Sequence, residues 1–313
     1  MCRLRPVVCS RATPSTIFAR SLFFAVLALS AAGCTTNAVP AAQSGPASAC
    51  SASGGKYLGD MKCQLPNGSV TEILTGAEAA RAWLSATPVD PRSPHSWALA
   101  TTAMIFEVNG SRHDLLAGTS LTPDGQERAK RLLSNGWSIN DRADLLDRLT
   151  WLQFEGHRSA FEALGQQVDA MDEQEFMAAK AALLTSEQEL QQLDVVRQNH
   201  RQLGQKGILA WDLIRYIALC RWGFRAGYMS EPEAWDYIMP AALRLQQTFT
   251  SWEDLQTDYL IGRKFWSAEQ TEGIGNQFQA IYNKFIRHPA SPWNVNPWVM
   301  DLGVTTPLPI AAN

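Results

Sequence analysis

The segment from Gly207 to Ala226 constrains the fold more than any other part of this 313-residue chain. Leu209, Leu213, Tyr216, Ile217, Cys220 and Phe224 form one apolar stripe at helical spacing. Ile208, Trp211, Ala218, Leu219 and Trp222 form a second on the opposite side. A helix apolar on both sides has to be surrounded, so this one is expected inside a domain. Asp212 and Arg215 lie three apart, in or beside the second stripe. If buried they must pair, because an isolated buried charge is very costly.

The surroundings read as further helices. Thr75 with Glu78 forms a capping box for a helix reaching about Ser85. Ser93 and Pro94 open the next, which Asn109-Gly110 ends. Thr122-Pro123 opens another, closed by Asn135-Gly136. Asn140 opens an amphipathic helix with Leu145, Leu149 and Leu152 on one face, an Asp144–Arg148 pair on the other and a stop at Gly156. Asp172 with Glu175 and Ser186 with Glu189 start two more, the second ending at Gly204. Ser230 with Glu233 begins a helix whose stripe runs from Ala234 and Trp235 to Phe249, with Pro240 expected to kink it. Ser251 caps a helix carrying Trp252, Leu255, Tyr259 and Trp266, and Gly262 on that face predicts close approach by a neighbour. A last helix near Asn276 to Arg287 precedes a tail expected to pack back through Trp293 and Trp298. Pro66-Asn67-Gly68 is a turn between short segments suited to a small hairpin. No alternation of strands and crossover helices appears, so the expected fold class is all-α, a multi-helix globular domain with a small N-terminal β-hairpin.

The N-terminus reads as an address. Residues 1–59 hold no Asp or Glu, and Arg3, Arg5, Arg11 and Arg20 form a basic start. Ser21 to Ser30 is an apolar run too short to span a bilayer core of about 30 Å, which fits a secretory signal. Ala31-Ala32-Gly33-Cys34 then resembles a bacterial lipobox, which implies cleavage before Cys34 and its lipidation. The alternative is an ordinary secretory signal cleaved nearby, leaving Cys34 a plain thiol. Thr35 is not Asp, a pattern that resembles proteins sent to the outer membrane of Gram-negative cells. Thr35 to Gly55 is uncharged and rich in Ala, Ser and Pro, a flexible tether reaching roughly 25 Å. Cys50 and Cys63 flank a Gly-containing segment and are expected to form a local disulfide in an oxidising compartment. Cys220 reads as a buried thiol. A net charge of −3 gives no electrostatic case for nucleic acid, and 46% hydrophobic content excludes wholesale disorder.

Familiar catalytic patterns do not occur: there is no HExxH, Walker loop, dinucleotide glycine fingerprint or GxSxG. His95, His113, His157, His200 and His288 form no helical i,i+4 pair, so neither metal nor cofactor is expected. His157 reads as a cation at a helix C-terminus, with acid/base work as the alternative. The candidate pocket or structural network is Trp211, Asp212, Arg215, Arg221, Trp222, Glu233, Trp235, Trp252, Arg263 and His157. The charged members read first as ion pairs knitting helices together, and the tryptophans first as core.

Several of these residues stand in a recognisable series. Trp211-Asp212-x-x-Arg215, Arg221-Trp222-Gly223, Ala226-Gly227-Tyr228, Ser230-Glu231-x-Glu233-Ala234-Trp235, Ser251-Trp252-Glu253 and Tyr259-Leu260-x-Gly262-Arg263-x-Phe265-Trp266 closely resemble the bacterial domain of unknown function 1266 family. Gly136-Trp137-Ser138-Ile139 and Glu155-Gly156-His157-Arg158 resemble it too, and coverage runs from about Trp97 to Trp266. That family supplies no catalytic residues. The expected organisation is signal 1–33, linker 34–55, Cys-containing segment 56–92, helical domain 93–300 and tail 301–313. The expected role is a non-enzymatic binding or interaction module of the cell envelope, anchored through Cys34 at the outer membrane and facing the periplasm. Its partner would be another envelope protein, with any small-molecule ligand unspecified. The competing expectation is a hydrolase-like envelope enzyme using Asp212, Glu233 or His157.

Overall fold

A computed structural model describes residues 88–119, 121–183 and 186–310, together with the backbone of three short strands. The strands are β1 (Lys56–Gly59), β2 (Lys62–Gln64) and β3 (Val70–Glu72), antiparallel in the order β1-β2-β3. The expected hairpin is β2–β3, with Pro66-Asn67-Gly68 between its arms, and β1 adds a second pairing in which Tyr57 faces Cys63. Cys34, Cys50 and the helix expected at 75–85 lie outside the described residues, as does the side chain of Cys63.

The body is all-α, as its punctuation predicts. Ser93 caps α1 (Pro94–Thr101) by accepting from the Ser96 N–H at 3.0 Å. The single helix expected from there to Asn109 is interrupted, and α2 (Ala103–Val108) follows. The Thr101 and Thr102 hydroxyls donate to the carbonyls of Ala98 and Leu99, and the Thr102 N–H takes Leu99 as well, so the turn tightens without Gly or Pro. α3 (Pro123–Trp137) runs past Asn135-Gly136 and ends at Ser138, which is left-handed (φ 55°). Burial of Trp137 and Ile139 draws the helix on, and the Ser138 and Ile139 N–H groups close its last carbonyls. α4 (Arg142–Phe154) is capped by Asp141, one residue after the expected Asn140.

α5 (Arg158–Asp169), α6 (Glu173–Ala182) and α7 (Glu187–Leu203) follow, with the expected Asp172/Glu175 capping box on α6. A 3₁₀ turn at Gly204–Lys206 leads into α8 (Leu209–Ala226), the helix read as apolar on both sides. It is interior: α3, α4, α9 (Glu231–Thr248) and α10 (Trp252–Trp266) pack around it. Both stripes are buried except for the half-buried Phe224, and Cys220 is a fully buried thiol whose pKa burial pushes up. The close approach predicted at Gly262 is real, since a Cβ there would sit 2.3 Å from the Trp211 Cβ. α11 extends from Glu269, earlier than expected, to Arg287, and α12 (Pro292–Val295) begins the tail.

The tail seats α1 through tryptophans. The Trp97 indole donates to the Trp298 carbonyl at 3.2 Å, Trp293 to Ala100 at 3.0 Å, and Trp252 to Asn296 at 2.8 Å. The Trp97 and Trp252 rings lie 4.7 Å apart. Farther on, the Leu308 N–H donates to the carbonyl of Pro240 inside α9. Among the described residues, no helix is long and apolar enough to cross a membrane.

Candidate functional site

Asp212 is where most of the candidate residues converge. Its carboxylate is completely buried on α8. Oδ1 accepts from the His157 backbone N–H at 2.9 Å, and Oδ2 from the Arg158 backbone N–H at 3.1 Å. The Arg158 guanidinium adds a contact at 3.1 Å and that of Arg215 one at 3.2 Å. The two backbone donors belong to the first turn of α5, whose N–H groups have no partner within the helix. Asp212 therefore caps α5 from a different helix, and the positive end of that helix favours its charge. Burial works against ionisation, but the Arg215 and Arg158 guanidiniums, with the two backbone N–H groups, outweigh it and hold the carboxyl below the usual range.

The sequence arranges this locally. Gly156 ends α4 with φ +62°, and a Cβ there would lie 2.0 Å from Asp212 Oδ2. Only glycine permits both the turn and the carboxylate's approach. Arg158 then reaches back to the carbonyls of Leu152 (2.7 Å) and Gln153 (2.5 Å) at the end of α4. One carboxylate and one guanidinium thus close the two facing helix ends. Arg158 was quoted in the family pattern but not among the candidate residues. Its role depends on Asp212, 54 positions away.

His157 differs from its expected part. It stands at the N-cap of α5, not at a helix C-terminus, and there a positive charge is disfavoured. Arg215 Nη2 lies 2.7 Å from His157 Nδ1. Arginine has only donors, so Nδ1 accepts, which puts the proton on Nε2 and leaves the ring neutral. Burial, reinforced by Arg215, lowers its pKa to about 4. An unfolded histidine takes its proton near pH 6.5, so stability should rise as pH climbs from about 4 to 6.5. The rise is worth up to about 3 kcal/mol. His200 acts with the opposite sign. Burial would lower its pKa, but hydrogen bonds to Asp169 and Glu162 raise it, and its contribution fades as pH rises through that value. Urea unfolding of wild type and His157→Gln at pH 4.5 and 7.0 isolates the first effect. The stability gap between the two pH values should shrink in the variant.

The other candidates are dispersed. Trp211 packs against Tyr259, Trp266 and the Arg215 guanidinium. Arg221 is buried beneath the loop before α3, far in sequence from any carboxylate partner. Glu233 completes the capping box of α9 and pairs with Arg142. Trp235 stacks on His95 at 3.9 Å, Trp252 belongs to the tail cluster, and Arg263 lies over Phe278. Asp258, not singled out from sequence, is a second buried cap, accepting from the Ala210 N–H of α8 at 2.9 Å. Burial pushes its pKa well up, and Ala210 and Lys206 only partly oppose this.

Two surface clefts lie among the described residues. One, of about 360 Å³, holds His113 and Glu107, paired at 2.8 Å, with Lys284 on the other Glu107 oxygen. The other, of about 390 Å³, lies between α3, α8 and the turn after α2, and is walled by Trp222, Arg128, Arg131, Arg225 and Asn135. Of these only Trp222 was a candidate. The arginines come from two helices and carry no local motif, so only the packing of α3 on α8 assembles them.

The family described as Protein of unknown function (DUF1266) matches residues 132–298. The chain is 29% identical to the uncharacterized protein YbeU of Escherichia coli K12 over 140 residues, 45% of this chain and 59% of YbeU. It is 26% identical to the uncharacterized protein YbeR of the same organism over 142 residues, 45% of this chain and 60% of YbeR. The chain thus spans about three fifths of the length of these curated relatives. No solved structure matches.

Proposed function

Since this chain belongs to the DUF1266 family of proteins of unknown function, its role must be read from its own side chains, and we propose that it is a non-enzymatic binding module held at the bacterial envelope by Cys34. The observation that carries this reading is the saturation of Asp212. A carboxylate enclosed by two backbone N–H groups and two guanidiniums has no lone pair or exposure left for proton transfer. His157 is held neutral by Arg215, and Glu233 is spent on the α9 cap and Arg142. The three groups of the hydrolase-like reading are therefore struts. The cleft beside Trp222 offers charge without acid/base partners, which suits stoichiometric binding.

The anchor is supported by the basic start, the short apolar run and small residues directly before Cys34. More than one acyl chain gives stable attachment, each buried CH₂ contributing about 0.8 kcal/mol. Radiolabelled palmitate should enter the wild-type chain and not Cys34→Ser, and the variant should leave the membrane fraction. Equal labelling of both would remove the anchor from the reading. For the module itself, Glu233→Gln or His157→Gln should register as changes in stability. Either variant keeping a wild-type Tm while losing its role in the cell would overturn the proposal.

A further inference from the structure

We infer that the cleft between α3 and α8 binds the dianion of a phosphate monoester, with the ester's planar group against Trp222. This deepens the binding-module reading and rests on it. Arg131 and Arg225 wall the cleft, and neither has an ion-pair or hydrogen-bond partner among the described residues. The third guanidinium, Arg128, is already matched by Asp124 at 2.5 Å. Among the described residues, no Asp or Glu lines the space. Two guanidiniums without a salt-bridge partner facing one cavity, with only the more distant Asp124 acting on Arg225, are the complement of a doubly charged group.

Arg225 makes the case specific. It is half-buried, and its Nε is shut off from water with no acceptor in reach. A buried donor left unpaired is expensive, and more so in a charged group. Burial and the neighbouring Arg128 lower its pKa and Asp124 only partly opposes them, so the protein holds this cation against some cost. An oxyanion arriving in the cleft would supply this cation's missing counter-charge through its two terminal guanidinium nitrogens, which, unlike Nε, are open to the space. Guanidinium forks match phosphoryl oxygens in pairs, which favours phosphate over a single carboxylate that satisfies one arginine only.

The rest of the lining fits an organic ester better than a bare ion. Trp222 is nearly buried and held by Phe106, stacked at 5.9 Å, so it presents a fixed aromatic wall. Thr119 and Asn135 add neutral hydrogen-bonding groups. A volume of about 390 Å³ leaves room beyond a phosphoryl group and falls in the range of small-molecule pockets.

The test uses phenyl phosphate as the probe, titrated calorimetrically into the full chain at pH 7.5 and constant ionic strength. One saturable site is expected, with inorganic phosphate and benzoate each at least tenfold weaker. At pH 5.0, below the second phosphate pKa of about 6, affinity should fall several-fold. Arg131→Gln, an exposed substitution, should weaken binding at least tenfold, and Arg225→Gln likewise, with Tm measured on each. Arg287→Gln, elsewhere on the surface, should leave it unchanged. Absence of saturable binding, indifference to both cleft variants, equal loss in Arg287→Gln, or benzoate binding as tightly as phenyl phosphate would overturn the assignment. None of these touches the module reading. Release of phenol during the titration would do the reverse, keeping the ligand class and overturning the non-enzymatic reading.

Discussion

Asp212→Ala is expected to remove about 3–5 kcal/mol of stability, enough to unfold much of the population of a marginally stable domain. The substitution strips the cap from α5 and leaves two guanidiniums buried together without their counter-charge. Arg158 still reaches the Leu152 and Gln153 carbonyls, but Arg215 keeps only the Trp211 carbonyl, the His157 ring nitrogen and two indole faces. Breaking a buried pair from one side costs more than the pair contributes, because the surviving charge cannot reach water. A fall in Tm on the order of 10 °C follows for a domain this size. Asp212→Asn should fall less, since an amide oxygen still accepts from the first turn of α5. Thermal unfolding followed by circular dichroism reads both. A wild-type Tm in Asp212→Ala would show that the carboxylate is not a strut.

The second large loss is expected at Arg221. Its guanidinium lies 3.3 Å over Phe106 and donates to the carbonyls of Leu115 (2.8 Å), Leu116 (3.0 Å) and Arg112 (3.4 Å), and to the Thr102 hydroxyl. Among the described residues no carboxylate touches it, and burial pulls its pKa well below the usual arginine value. The backbone of the loop before α3 turns three carbonyls toward this side chain, which serves them all. Arg221→Ala leaves those acceptors unpaired and opens a void, a combined cost of about 4 kcal/mol. Arg221→Met refills most of the void without serving the carbonyls and should lie between. Urea unfolding gives the energies. Hydrogen exchange should speed up most at Arg112 and Gly118, whose amide and carbonyl close the loop at 2.7 Å. Unchanged exchange there would break the link between Arg221 and the loop.

What the sequence revealed is what neighbours within a few residues decide. The capping boxes at Asp172/Glu175 and Ser230/Glu233 need only three positions, and both formed where read. The same locality explains the small misses. Asn140 and Asp141 are both short polar cap formers, and the side chain of Asp144 accepts from the Asn140 N–H while its own backbone N–H donates to the Asp141 carboxylate. α3 outran its Asn-Gly signal because burial of Trp137, a tertiary gain, outweighed the turn preference of Asn135-Gly136. The Asp212–Arg215 pair was legible from its spacing on a buried helix. Its purpose was not, because the helix it caps begins 54 positions earlier. The unpaired arginines of the cleft were illegible for the same reason. Nothing in the strings around Arg131 and Arg225 says that they face one hollow.

The tryptophan clasp bears on how the chain comes to be folded. Trp97 waits for a carbonyl 201 positions downstream, and Ala100 for an indole 193 positions downstream. Pairings so distant make assembly slow, because the intervening loop must be closed before any reward arrives. The opening turns of the body cannot be locked until synthesis has passed Trp298, so a newborn chain stays threadable for most of the time it spends on the ribosome.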